Sequence, residues 1–159
     1  MQRPDDRPTH HYQAICTWEG STAGGYDAYD RTHQASAPPA TTTLTLSSDP
    51  LFRGDPALLD PEDLLVLAAA SCQLLSFLAV AARARIDVIA YRDEAEGVMP
   101  PEPRPMRITE ITLRPEITVR GDVSDERLAH LVEVAHHECF IANSLTTEIT
   151  IEPRFVRVP

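Results

Sequence analysis

The 159-residue chain contains no lysine; its 14 basic residues other than histidine are all arginine. Without a lysine amine it cannot form a Schiff base, attach pyridoxal phosphate or complete a Walker A loop. Cysteine is scarce too. Cys16, Cys72 and Cys139 lie far apart and no CxxC pair occurs, which suits the reducing cytoplasm better than a disulfide framework. Net positive charge is also missing. A formal charge of −10 at pH 7 argues against nucleic acid and anionic membrane surfaces as partners. The opening MQRPDDRPTHH has no apolar h-region, so no secretory signal is expected.

The chain is rich in uncharged helical sequence. Residues 61–85, PEDLLVLAAASCQLLSFLAVAARAR, begin with proline and two acids and end with Arg83 and Arg85. That distribution matches the positive and negative ends of a helix dipole. Residues 64–82 carry no charge. A helix apolar all round must be covered all round, so this is either the central helix of a globular fold or a membrane span. The alanines, Ser71, Gln73 and Ser76 dilute its apolar character and no second span exists. The globular reading is therefore preferred.

The rest of the chain reads as one domain, residues 11–159, behind a disordered lead at 1–10. Residues 12–18 alternate as a strand, GSTAGG turns, and residues 26–36 return as a hairpin partner. TTTLTL reads as a short edge strand, and SSDPLFRGDPALLDPED as a polar loop. Beyond the central helix, residues 86–98, 106–120 and 145–158 read as strands, with Pro115 allowing a bulge or edge position. Residues 125–142 read as a second helix capped by Ser124. The order defines a mixed α+β domain.

Two cysteines fall on the two helices, Cys72 on the first and Cys139 on the second. Taken singly, a free cysteine more often packs than reacts, and Cys16 stays with that reading. Arg31 (in YDRTH), Arg53 (in FRGDP) and Glu62 supply charge near the start of the first helix. An arginine beside a thiol favours the reactive thiolate. Cys72 needs such help, because it lies beyond the reach of its own helix N-terminus. Ten residues of straight helix place Glu62 about 15 Å from Cys72. One Glu–Arg–Cys site therefore requires a kinked helix, a long arginine bridge, or service to the Cys72 of a partner chain. His136, His137 and Cys139 invite a zinc reading, but adjacent histidines diverge on a helix and no CxxC or HExxH accompanies them. No metal and no cofactor are expected. A Cys139–His136 hydrolase is disfavoured by the lack of a recognisable oxyanion turn.

DPEDLLVLAAASC and AHHECFIANS together resemble the two cysteine motifs of the OsmC/Ohr family of thiol peroxidases, and the resemblance extends over residues 12–153. It implies an α+β fold of mixed β-sheets around a long buried central helix, built as an intertwined homodimer. It implies that Cys72 is the peroxidatic cysteine, Cys139 the resolving one, and Glu62 the holder of the catalytic arginine. Arg53 resembles the OsmC placement of that arginine and Arg31 the Ohr placement. The implied partners are a second copy of the chain, a hydroperoxide and an external dithiol reductant of lipoyl type. Phe140 departs from the proline common after the second cysteine, and Gln73 from the aromatic often found after the first. The alternative is a non-enzymatic dimeric protein that binds a small molecule and uses its cysteines only for packing. Close approach of Cys72 and Cys139 would discriminate between the two.

Overall fold

The computed structural model describes residues 8–159. The first seven positions of the expected N-terminal lead lie outside them. The chain divides into two compact units, one ending at Pro61 and one running Glu62–Pro159.

The first unit holds three short strands, β1 (Ile15–Thr17), β2 (His33–Ser36) and β3 (Thr43–Leu46), in one antiparallel sheet of order β1-β2-β3. The expected hairpin is present but its strands are shorter than their alternation suggested. β2 begins only at His33, because residues 26–32 are occupied with side-chain and turn bonds rather than a ladder. Asp30 Oδ1 takes the backbone N–H and the hydroxyl of Thr32 at 2.8 and 2.7 Å. After β3 the chain makes a single 3₁₀ turn, Pro50–Phe52, capped by Asp49. Arg53 follows in the left-handed region at φ 67. A Cβ on Gly54 would lie 1.5 Å from the Ser48 carbonyl oxygen, so only glycine fits there.

The second unit is organised by α1 (Pro61–Arg83). Its first turn carries Glu62 and Asp63, and Arg83 in its last turn pairs with Glu138 at 2.5 Å. Then come β4 (Asp87–Asp93), β5 (Glu96–Val98), β6 (Glu110–Leu113), β7 (Pro115–Arg120), α2 (Asp125–Glu138), α3 (Phe140–Ser144), β8 (Glu148–Ile151) and β9 (Arg154–Val158). Each of the three long strands expected after α1 is in fact broken in two. One half of each goes to each of two sheets, β4-β7-β9 and β5-β6-β8, each with one antiparallel and one parallel pairing. The breaks fall at Asp93–Ala95, Arg114 and Glu152–Pro153, and Arg114 ties them together. Its N–H donates to Asp93 Oδ1 at 2.7 Å, and its guanidinium reaches Glu96 at 3.3 Å and Glu152 at 3.2 Å.

One stripe of α1 is buried: Ala69, Gln73, Phe77, Val80 and Ala81. The spacing is that of a single helix face. Phe77, Val80 and Ala81 pack with Ile117 and Val119 of β7 and Leu128, Leu131, Val132 and Ala135 of α2. Ala69 packs with Ile108 and with Ile111 and Leu113 of β6. Burial within one chain is one-sided, however, since Leu67, Leu75 and Leu78 are 56%, 62% and 37% exposed. By length and composition alone α1 could cross a membrane; here its buried stripe packs on both sheets of this unit and on α2.

Candidate functional site

The second helix ends earlier than its periodicity suggested. Ser124 caps it as expected, accepting from Arg127 N at 3.3 Å. It stops at Glu138, and Cys139 takes extended backbone angles (φ −70, ψ 111) between α2 and the five-residue α3. Side-chain bonds help to hold this break, beside the backbone bonds Cys139 N–H to His136 O at 3.2 Å and Asn143 N–H to Cys139 O at 3.0 Å. Cys139 Sγ accepts from Ala142 N at 3.5 Å, and Asn143 Nδ2 donates to the carbonyls of His137 and Cys139, both at 2.9 Å. Cys139 is left 1% exposed.

The break matters because of what it faces. Cys72, half-buried in the middle of α1, meets the backbone N–H groups of Ile141 and Phe140, the thiol of Cys139 and the hydroxyl of Ser76. Burial pushes the Cys72 thiol up, but these four contacts outweigh it and hold the thiol below its ordinary range. Cys139 goes the other way. Burial first, and then the neighbouring Cys72, push it up to about 11 despite the Ala142 N–H. The two thiols interact in opposite senses, so one sulfur is prepared to carry charge and the other to keep its proton.

Of the residues singled out in the sequence, Cys72 and Cys139 are thus brought together. Glu62 is half-buried in the first turn of α1. Both candidate arginines belong to the first unit. Arg53 pairs with Asp27 at 2.8 Å, both side chains being largely exposed. The Arg31 guanidinium donates to the carbonyls of Tyr26 and Tyr29 and lies 3.7 Å from the Tyr29 ring centroid and 4.8 Å from that of Tyr26. It lines a cavity with Trp18, Thr22, Tyr29, His33 and Ser47. Cys16 is exposed on β1 rather than packed.

His136 and His137 sit side by side with ring centroids 6.3 Å apart. Burial first, and then His137, lower the His136 pKa. Among the described residues no group of three or more His, Cys, Asp or Glu side chains is arranged to hold a metal ion.

Sequence reasoning missed Ser76, the Phe140 and Ile141 N–H groups and Asn143. Ser76 was within reach of it, four residues after Cys72 and so one helical turn along. The others depend on the break at Cys139, which no glycine or proline announces. Two further polar groups had no sequence signal. Gln73 is buried and its Nε2 donates to Val132 O at 3.3 Å, tying α1 to α2. The Tyr91 hydroxyl is pushed up by burial, then by Asp93 and Cys139.

A central helix packed on two mixed sheets, with one lowered and one raised thiol that interact, defines a paired-cysteine α+β domain. The chain belongs to the OsmC-like protein family, whose sequence model matches residues 54–154. Solved structures agree. An OsmC-like protein of unknown function from Vibrio cholerae is 29% identical, covering 91% of this chain and 99% of that one, with a TM-score of 0.82. An organic hydroperoxide resistance protein OsmC from Legionella pneumophila is 14% identical over 94% and 99% of the two chains, with a TM-score of 0.67. An organic hydroperoxide resistance protein from Elizabethkingia anophelis is 15% identical over 96% and 99%, with a TM-score of 0.69. At those last two identities the likeness concerns the fold. No curated protein sequence matches the chain.

Proposed function

We propose that the protein is a cysteine-based peroxidase that reduces organic hydroperoxides. The contact between a lowered Cys72 and a raised Cys139 carries the reading; the hydroperoxide-resistance proteins that share its fold support it. The Cys72 thiolate attacks the outer peroxide oxygen. An S–O bond forms as the O–O bond breaks, sulfur gives up two electrons, and the departing alkoxide takes a proton to become an alcohol. Cys139 then attacks the Cys72 sulfenic acid, expelling hydroxide, which leaves as water with the Cys139 proton. An external dithiol, of lipoyl type, restores both thiols by exchange and is itself oxidised to a disulfide.

Either Arg31 or Arg53 would stabilise charge on the peroxide oxygen, with Glu62 orienting it. The exposed apolar residues of α1, Leu67, Leu75 and Leu78, favour a homodimer in which a second copy covers that face, and the chemistry suits the cytoplasm. The test mixes reduced protein with excess cumene hydroperoxide and assigns the remaining thiols by peptide mass. Cys72 and Cys139 should be lost as a disulfide while Cys16 stays free, and Cys72→Ser should form none. If both helix cysteines stay reduced, the protein is not a peroxidase. Oxidation rates of Arg31→Ala and Arg53→Ala identify the arginine, since only the acting one should slow Cys72 oxidation.

A further inference from the structure

One polar side chain lies inside the otherwise apolar stripe that α1 buries. Gln73 is 1% exposed, one turn before Phe77 and next in sequence to Cys72. Its Nε2 donates to the Val132 carbonyl of α2 at 3.3 Å, a bond between residues 59 positions apart. Among the described residues, no protein group bonds to its buried Oε1. An amide buried with one end unsatisfied is a poor choice for stability, because an apolar side chain of the same size avoids the desolvation cost. What the amide supplies is direction. Val132 packs in the same buried cluster as Phe77, and α2 continues from it without interruption to Glu138. Cys139 follows at once, seven positions after Val132. Its N–H is bonded back to the His136 carbonyl at 3.2 Å. The Cys139 sulfur is thus carried on the end of α2, and a slide of α2 along α1 moves it too. Gln73 holds α2 from the residue beside Cys72.

We propose that Gln73 is a positioning residue, whose amide sets where α2 lies along α1 and so holds Cys139 in place to form a disulfide with Cys72. The inference rests on the reading that these two thiols pair. Apolar burial is non-directional, and packed helices can slide past one another in small steps. A hydrogen bond to one particular carbonyl does not tolerate such a slide, because it weakens steeply with distance and angle. The net strength of a single hydrogen bond corresponds to about a fivefold preference for the placement that makes it. That preference falls on the α2 placement that brings Cys139 to Cys72.

The experiment equilibrates the full chain in glutathione buffers and reads the Cys72–Cys139 disulfide by peptide mass. Oxidised glutathione is reduced to two thiols as the bond between the two cysteine sulfurs forms, and the two cysteine protons pass to the departing sulfurs. Gln73→Met and Gln73→Leu keep the volume and lose the donor. In both, the equilibrium constant for the disulfide should fall about three- to fivefold. Tm should change by less than about 4 °C, and iodoacetamide should alkylate Cys72 within about twofold of the wild-type rate. An unchanged disulfide constant overturns the inference. So does a larger Tm loss in both variants, which would make the amide a tie of the core and nothing more. A disulfide constant that falls only in step with Cys72 alkylation also overturns it, because the effect then lies on Cys72 itself. A wild type that forms no Cys72–Cys139 disulfide at any glutathione ratio overturns the pairing and the inference together. If glutathione forms that disulfide and peroxide does not, the peroxidase reading alone is lost.

Discussion

Replacing Asn143 by alanine tests whether the turn after α2 prepares Cys72. The side chain makes two hydrogen bonds of 2.9 Å, to the His137 and Cys139 carbonyls. The Cys139 carbonyl also accepts the Asn143 backbone N–H at 3.0 Å, so it keeps a partner when the side chain is removed. A net hydrogen bond contributes about 0.5–1.5 kcal/mol, and with one of the two exposed the pair comes to about 1–2 kcal/mol. For a chain of this size that lowers Tm by about 2–8 °C. The loss falls on the turn that carries the Phe140 and Ile141 N–H groups to Cys72. A hydrogen bond to a charged group contributes about 1.5–3 kcal/mol, so donors made only part of the time would cost the thiolate about 1 kcal/mol. Below its pKa, the thiolate population then falls about fivefold. The assay is iodoacetamide alkylation of Cys72 on the acid side of neutrality, followed by peptide mass so that exposed Cys16 is counted separately. Alkylation should slow by that factor. If Tm falls while Cys72 alkylates at the wild-type rate, the clamp stabilises the turn without preparing the thiol, and the reasoning fails.

Two other expectations concern stability. Phe77→Ala removes a ring that is 0% exposed and packs with α2 and β7, and should cost about 3–5 kcal/mol in urea unfolding with an unchanged m-value. The raised Cys139 thiol gives the pH dependence. The folded chain holds that proton more tightly than the unfolded chain does. Its contribution is therefore complete below the ordinary thiol range and is lost as pH rises through it toward about 11. Urea midpoints across that window should fall more steeply for the wild type than for Cys139→Ser; parallel curves would contradict the assignment.

What the sequence made legible was local. α1 was placed because proline, two acids and terminal arginines mark both ends; it runs Pro61–Arg83, two residues short of the expected end at Arg85, which takes a left-handed conformation. Ser124 was readable as a cap because its hydroxyl is bonded three residues on. The strand breaks were not read for two different reasons. Pro153 has no N–H and was a visible place for β8 to end, but the break at Arg114 is set by Glu96, Glu152 and Asp93, each remote in sequence. The end of α2 is likewise set from a distance of several residues, by Asn143 and the Ala142 N–H. The approach of Cys72 to Cys139 joins residues 67 positions apart; only the family resemblance pointed to it. The sequence also showed that α1 needs cover all round without showing what supplies it, and Leu67, Leu75 and Leu78 remain exposed on one chain.

The two thiols also carry the order of the proposed reaction within their electrostatics. In the reduced pair a single negative charge is favoured on Cys72, where two N–H groups, a hydroxyl and the Cys139 thiol face it. Two adjacent thiolates would repel each other, and this repulsion adds to burial in keeping Cys139 protonated. A buried, protonated thiol is a poor nucleophile, so Cys139 is protected from peroxide for as long as Cys72 carries the charge. Oxidation of Cys72 to a neutral sulfenic acid removes that charge. The repulsive part of the Cys139 shift disappears with it, while the Ala142 N–H remains in place to receive charge on the Cys139 sulfur. On the proposed mechanism the repulsive part of the Cys139 shift is lost once Cys72 has reacted, while burial, its larger cause, persists. In the proposed reaction, the interaction that favours charge on Cys72 is the same one that disfavours it on Cys139.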